Sequence, residues 1–212
     1  MSPAEKFSAA MTQLPLVAIL RGVAPSEAAD IGDAIIESGF ALLEVTLNSP
    51  DPLTSIALLR RRFPNALVGA GTVLTQAQVG SVAQAGGELI VSPNFDAAVV
   101  AEALRLGLVC LPGIMTPTEA FGALAAGAHA LKLFPAELAS PAVLRALLAV
   151  LPTATRLLPV GGIAPHNMDE WRAAGAAGFG IGSALYKPGK SPAAVRDDAL
   201  AFAAAWAGVT RV

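Results

Sequence analysis

The strand-forming stretches of this chain are almost free of charge, so the charged residues inside them carry the chemical information. Lys132 is one of only four lysines and stands alone in the apolar run Ala130-Leu131-Lys132-Leu133-Phe134. The others, Lys6, Lys187 and Lys190, lie near the chain ends or in loops. Burial disfavours the ammonium form of a lysine. Only the neutral amine attacks a carbonyl, so this setting suits a Schiff-base nucleophile. The plainer alternative is a structural lysine paired with a buried carboxylate. Glu44, in the later half of its strand, fits both: it is a partner for Lys132, or a proton shuttle whose proton affinity an apolar pocket raises. The two readings can coexist, and the structural one gains slightly if Glu44 faces the surrounding helices instead of the lumen. Arg21 closes the first strand and is the third charge at a strand end.

Glycine-rich strand ends come next. Val160-Gly161-Gly162 and Ile181-Gly182-Ser183 are expected to close the last two strands. Backbone N–H groups exposed at such ends bind phosphate, and the Ser183 hydroxyl adds a donor. Turn chemistry alone would explain one glycine pair; two pairs favour a phosphate site. Gly69-Ala70-Gly71-Thr72 closes the third strand, and the Thr72 hydroxyl is suited to a carboxylate. Thr72 could equally cap the next helix, although Thr75 can fill that role. His129 and His166 are far apart and lack an HxxxH spacing, so no zinc site is expected. Arg60-Arg61-Arg62 reads as a solvated helix end, and Trp171 and Trp206 as packing residues.

These residues need a scaffold that brings strand ends together. The chain alternates β-rich and helical runs throughout. Strands are expected at 16–22, 41–48, 67–73, 88–94, 108–114, 130–136, 156–162 and 178–185. Helices follow at 25–38, 52–62, 76–85, 95–106, 117–126, 141–150, 166–174 and 192–205, with an additional N-terminal helix at 3–13. Start signals include Ser26 before Glu27, and Pro52 and Pro141 in first turns. Eight βα units in one domain spanning residues 1–212 predict an α/β chain folded as a (β/α)8 TIM barrel. A doubly wound sheet is the alternative, but the first βα turn, Leu20-Arg21-Gly22-Val23-Ala24-Pro25, has no GxGxxG. In a barrel, Arg21, Glu44 and Lys132 all sit toward the C-terminal mouth. Glu88 and Arg156 sit at strand beginnings, where charge serves stability.

The totals narrow the function classes. A net charge of −2 offers no field for nucleic acid or an acidic membrane. Residues are 54% hydrophobic and 14% charged, enough for a large core with some surface left for an oligomer. Cys110 is the single cysteine, which excludes an internal disulfide and suits a reducing cytoplasm. The first residues lack the long apolar run of a signal peptide, and no apolar stretch is long enough to span a membrane.

With these residues in view, the chain resembles the 2-keto-3-deoxy-6-phosphogluconate/6-phosphogalactonate (KDPG/KDPGal) aldolase family. The similarity runs from about residue 14 to residue 186. It includes Val17-Ala18-Ile19-Leu20-Arg21-Gly22, Glu44-Val45-Thr46-Leu47-Asn48-Ser49-Pro50 and Gly69-Ala70-Gly71-Thr72-Val73. It continues through Pro112-Gly113, Leu131-Lys132-Leu133-Phe134-Pro135, Gly161-Gly162 and Gly182-Ser183. The resemblance implies a homotrimer of (β/α)8 barrels that needs neither metal nor cofactor and acts on a phosphorylated keto acid. Lys132 would be the Schiff-base lysine and Glu44 the general acid/base. Arg21, Thr72, Gly161, Gly162, Gly182 and Ser183 would bind substrate, with Asn48, Val160, Pro93 and Phe134 lining the pocket or setting specificity. The gluconate branch usually has arginine where this chain has Asn48, and threonine where it has Val160. Both features resemble the 6-phosphogalactonate branch, whose substrate is the C4 epimer.

Overall fold

The computed structural model describes residues 1–208. Helix α1 (Pro3–Gln13) leads into β1 (Leu16–Leu20), α2 (Pro25–Ile36), β2 (Leu42–Thr46), α3 (Pro52–Arg62) and β3 (Leu67–Gly71). Next come α4 (Gln76–Gln84), β4 (Leu89–Val91), α5 (Ala97–Arg105), β5 (Val109–Leu111), β6 (Gly113–Ile114) and α6 (Pro117–Ala125). The chain continues through β7 (Leu131–Leu133), α7 (Pro141–Leu148), β8 (Leu157–Pro159), α8 (Met168–Ala173), β9 (Phe179–Ile181) and α9 (Pro192–Trp206).

All strand pairings are parallel, in the orders β5-β4-β3-β2-β1-β9 and β6-β7-β8. Two links close the ring. Pro112 interrupts the expected fifth strand, leaving β5 and β6 as one position, and its carbonyl accepts from Lys132 N at 2.9 Å. A parallel bridge between Val160 and Gly180 joins the end of β8 to β9. The result is a (β/α)8 barrel with an added N-terminal helix.

Side chains of a strand alternate between faces, and here both faces are buried. Leu43 and Val45 of β2 pack outward with Ile31, Ile56 and other helix residues. Leu42 of β2 instead joins Val17, Leu67, Leu89 and Leu111 in the lumen. Glu44, two residues after Leu42, therefore faces the lumen. Leu131 and Leu133 of β7 belong to the outer layer, so Lys132 between them also points inward.

Helix α1 plugs the lower end of the lumen with Phe7 and Ala10. Lys6 and Arg60 both pair with Glu88 at 2.8 Å, so charge at that strand beginning does serve the scaffold. This corrects the expectation for Arg60 alone, since Arg61 and Arg62 are exposed as expected. Arg60 is half-buried and also donates to the carbonyls of Gly86 and Ala66, because its helix ends over the start of β4. Two further expectations change. Ser26 is not the cap of α2: the cap is Ala24, whose amide donates to Glu27, because Pro25 already occupies the first turn. The strands are also shorter than expected. Pro135 has no N–H to extend β7, and after β9 the chain turns, with the amides of Leu185 and Tyr186 both donating to Gly182 O.

Candidate active site

Lys132 is 5% exposed and Glu44 1% exposed. They enter one apolar space inside the barrel, walled by Val17, Val91, Leu111, Leu158 and Val160. Among the described residues, neither oxygen of Glu44 has a hydrogen-bond partner, so the structural ion pair considered for Lys132 is not formed. The ammonium lies 4.7 Å from the centre of the Phe134 ring, within reach of a cation–π contact.

Burial governs both protonation states. Desolvation pushes Lys132 below its ordinary value, and the Arg21 cation adds to this, while Glu44 opposes it. Desolvation likewise pushes Glu44 up, against the pull of Lys132 and Arg21. Each group is thereby moved toward its neutral form, which for Lys132 is the nucleophile. Gly71 makes the room that Glu44 needs: a Cβ there would lie 2.4 Å from Glu44 Oε1.

Lys132 also borders a larger cavity of about 580 Å³ at the barrel mouth. Its wall includes Arg21, Phe134, Val160, Gly161, Gly162, Gly182 and Ser183, so seven of the expected residues converge there with Lys132. Gly161 and Gly162 have φ of 109° and 66°, a backbone that L side chains rarely adopt.

Besides Glu44, three expected residues are not part of that wall. Asn48 is exposed and accepts from Nη1 of Arg21, a wall residue, at 3.1 Å. Pro93 presents its carbonyl to Gly113, where a Cβ would come within 2.3 Å. Thr72 directly follows β3, with φ of 59°. A β-branched residue held there costs roughly 1–3 kcal/mol, the kind of strain that gathers at ligand sites. Thr75 does cap α4, accepting from Gln78 N at 3.2 Å, which leaves Thr72 free of that duty.

Among the wall residues that were not anticipated, three carry ionisable side chains: Glu137, Tyr186 and Lys187. Glu137 lies on the glycine pair, where a Cβ at Gly161 would meet its Oε2 at 2.0 Å. All three follow strand ends by a few residues. Searching the βα loops for charge, as well as the strands, would have found Glu137 and Lys187. Among the described residues, no group of three or more His, Cys, Asp or Glu could hold a metal ion, and no helix is long and apolar enough to cross a membrane.

The KDPG and KHG aldolase family model matches residues 7–195. This chain belongs to that family. Its chemistry is accordingly that of an aldolase, a carbon–carbon lyase. Within the family, it is 48% identical over 196 residues to a probable 2-dehydro-3-deoxy-6-phosphogalactonate aldolase of Rhizobium meliloti (strain 1021), covering 92% of each chain. It is 45% identical to the 2-dehydro-3-deoxy-6-phosphogalactonate aldolase of Escherichia coli (strain K12), covering 92% of this chain and 96% of the relative. A solved structure described as native KDPGal superposes with a TM-score of 0.91 at 44% identity, over 92% of this chain and 96% of that one.

Proposed function

We propose that this aldolase reversibly cleaves 2-dehydro-3-deoxy-6-phospho-D-galactonate to pyruvate and D-glyceraldehyde 3-phosphate through a Schiff base on Lys132. The observation that carries the proposal is the shared apolar space: a lysine and a glutamate, both buried, both displaced toward their neutral forms. Neutral Lys132 attacks the C2 ketone, and loss of water gives an iminium. Glu44 takes the C4 hydroxyl proton through a water. The C3–C4 bond breaks, its electrons pass into the iminium to give an enamine, and the aldehyde leaves. Reprotonation at C3 and hydrolysis release pyruvate and free amine. No external electron sink is needed, because the iminium serves as one.

The positions of the remaining residues support a division of labour. Gly161, Gly162, Gly182 and Ser183 receive the phosphate at the wide end, together with Arg21. Thr72 holds the pyruvate carboxylate. Asn48 orients Arg21 and so bears on the C4 epimer. Leu138, Phe121 and Val143 leave large apolar side chains 80%, 47% and 39% exposed. Such surface suits burial between copies, in keeping with a homotrimer.

Pyruvate release from the galactonate and gluconate epimers, assayed side by side, tests the assignment. A higher kcat/KM for the galactonate compound supports it. Epimer discrimination in a pocket of this kind is roughly 1–3 kcal/mol, so measurable turnover of the gluconate compound is expected. A preference for the gluconate compound would reverse the assignment.

A further inference from the structure

The segment after β9 carries Gly182 and Ser183 and runs through Pro188 and Gly189 with most of its residues exposed. One buried aromatic anchors it. Tyr186 is 1% exposed, and its hydroxyl donates to Glu27 Oε1 at 2.7 Å across 159 positions of sequence. The same Glu27 oxygen accepts from Ala24 N at 3.1 Å. One carboxylate therefore closes the first turn of α2 and grips the loop that follows β9.

The grip is transmitted in both directions. Toward Ser183, the amides of Leu185 and Tyr186 donate to Gly182 O at 2.9 and 3.0 Å, so the ring and the Gly182 peptide belong to one tight turn. Toward β1, the loop rests on Gly22, where a Cβ would lie 2.7 Å from Pro188 Cγ. Gly22 directly follows Arg21, and its own amide is fixed by Ser49 Oγ at 2.8 Å. Arg21 and Ser183 thus lie on two loops that Glu27 and Tyr186 hold in register at the mouth.

We propose that Glu27 and Tyr186 are positioning residues: their hydrogen bond fixes the spacing between Arg21 and the Gly182–Ser183 turn, and so tunes affinity for the substrate's phosphate without touching the reacting atoms. This rests on the assignment of that end of the cavity to phosphate. It predicts a separation between two reactions of the same lysine. Cleavage of the phosphorylated substrate depends on the latch, whereas imine formation with pyruvate, which has no phosphate, does not.

The test compares Tyr186→Phe, Glu27→Ala and Glu27→Gln with the unaltered protein. KM and kcat are measured for the phosphorylated substrate, and covalent trapping is measured with pyruvate and borohydride. Loss of the hydrogen bond between Tyr186 and Glu27, which both Tyr186→Phe and Glu27→Ala remove, is expected to raise KM about tenfold. Their kcat and pyruvate trapping stay at the parent level. Glu27→Gln keeps an acceptor oxygen and restores KM. An unchanged KM in Tyr186→Phe would overturn the proposal, as would a parallel fall in trapping and turnover that follows lost thermal stability. An unaltered protein that neither traps pyruvate nor turns over would instead overturn the functional assignment beneath it.

Discussion

Glu44 and Lys132 reach the lumen from β2 and β7, on opposite sides of the barrel, and share one apolar space. Among the described residues, Glu44 makes no hydrogen bond there. A carboxylate held in an ion pair would be committed to its charged form. One left unpaired and desolvated holds its proton at higher pH than an ordinary glutamate, which suits it to proton transfer.

Glu44→Gln keeps the volume and removes the proton chemistry. Turnover should fall by about 10²–10⁴-fold, the usual contribution of a positioned acid/base. The thermal midpoint should hold or rise, since a costly buried charge is lost without leaving a hole. Steady-state kinetics alongside a melting curve checks both halves. A variant that retains full turnover would remove Glu44 from the mechanism.

Gly71→Ala addresses placement rather than chemistry. Its methyl group would lie 2.4 Å from Glu44 Oε1 and 2.8 Å from Cδ, so the carboxylate must move. Displacement on that scale is expected to lower kcat by about 10²-fold. Pyruvate trapping on Lys132 should continue, because the lysine itself is not touched. Equal loss of both reactions would point to general damage.

The pH dependence of trapping reports on Lys132. The neutral amine reacts, so the rate should rise with pH to a midpoint below the ordinary 10.5. The charge of Glu44 raises the Lys132 value and that of Arg21 lowers it. Glu44→Gln should therefore move the midpoint to lower pH, and Arg21→Met to higher pH. Trapping rates across a pH series give both shifts, and opposite signs would refute the electrostatic account.

The same burial should cost stability. Between the depressed value of Lys132 and 10.5, the unfolded chain holds a proton that the folded chain lacks, so stability rises with pH up to 10.5. Between 4.5 and the raised value of Glu44, the folded chain holds the extra proton, so stability falls as pH rises through that window. Replacing both groups by methionine should therefore stabilise the protein at neutral pH, by roughly 1–4 kcal/mol. The gain should shrink below 4.5 and above 10.5. Denaturant titrations at several pH values measure it.

The barrel was legible in the sequence because parallel strands buried on both faces leave unbroken apolar runs, and helices between them carry their own caps. Lys132 and Glu44 stood out for the same reason, as charges inside such runs. Lumen orientation of Glu44 needed the register of β2 against its neighbours. The break at Pro112 looked like strand because its flanks are apolar. Arg60 read as solvated because Glu88, its partner at 2.8 Å, is 28 residues away. The hydrogen bond between Tyr186 and Glu27 spans 159 positions and has no local signature at all.

The most direct test of the central claim is reduction with borohydride in the presence of pyruvate, followed by peptide mass spectrometry. The account predicts one covalent pyruvate adduct, located on Lys132, and its loss together with turnover in Lys132→Ala. An adduct on another residue, or a Lys132→Ala protein that still cleaves substrate, would contradict it.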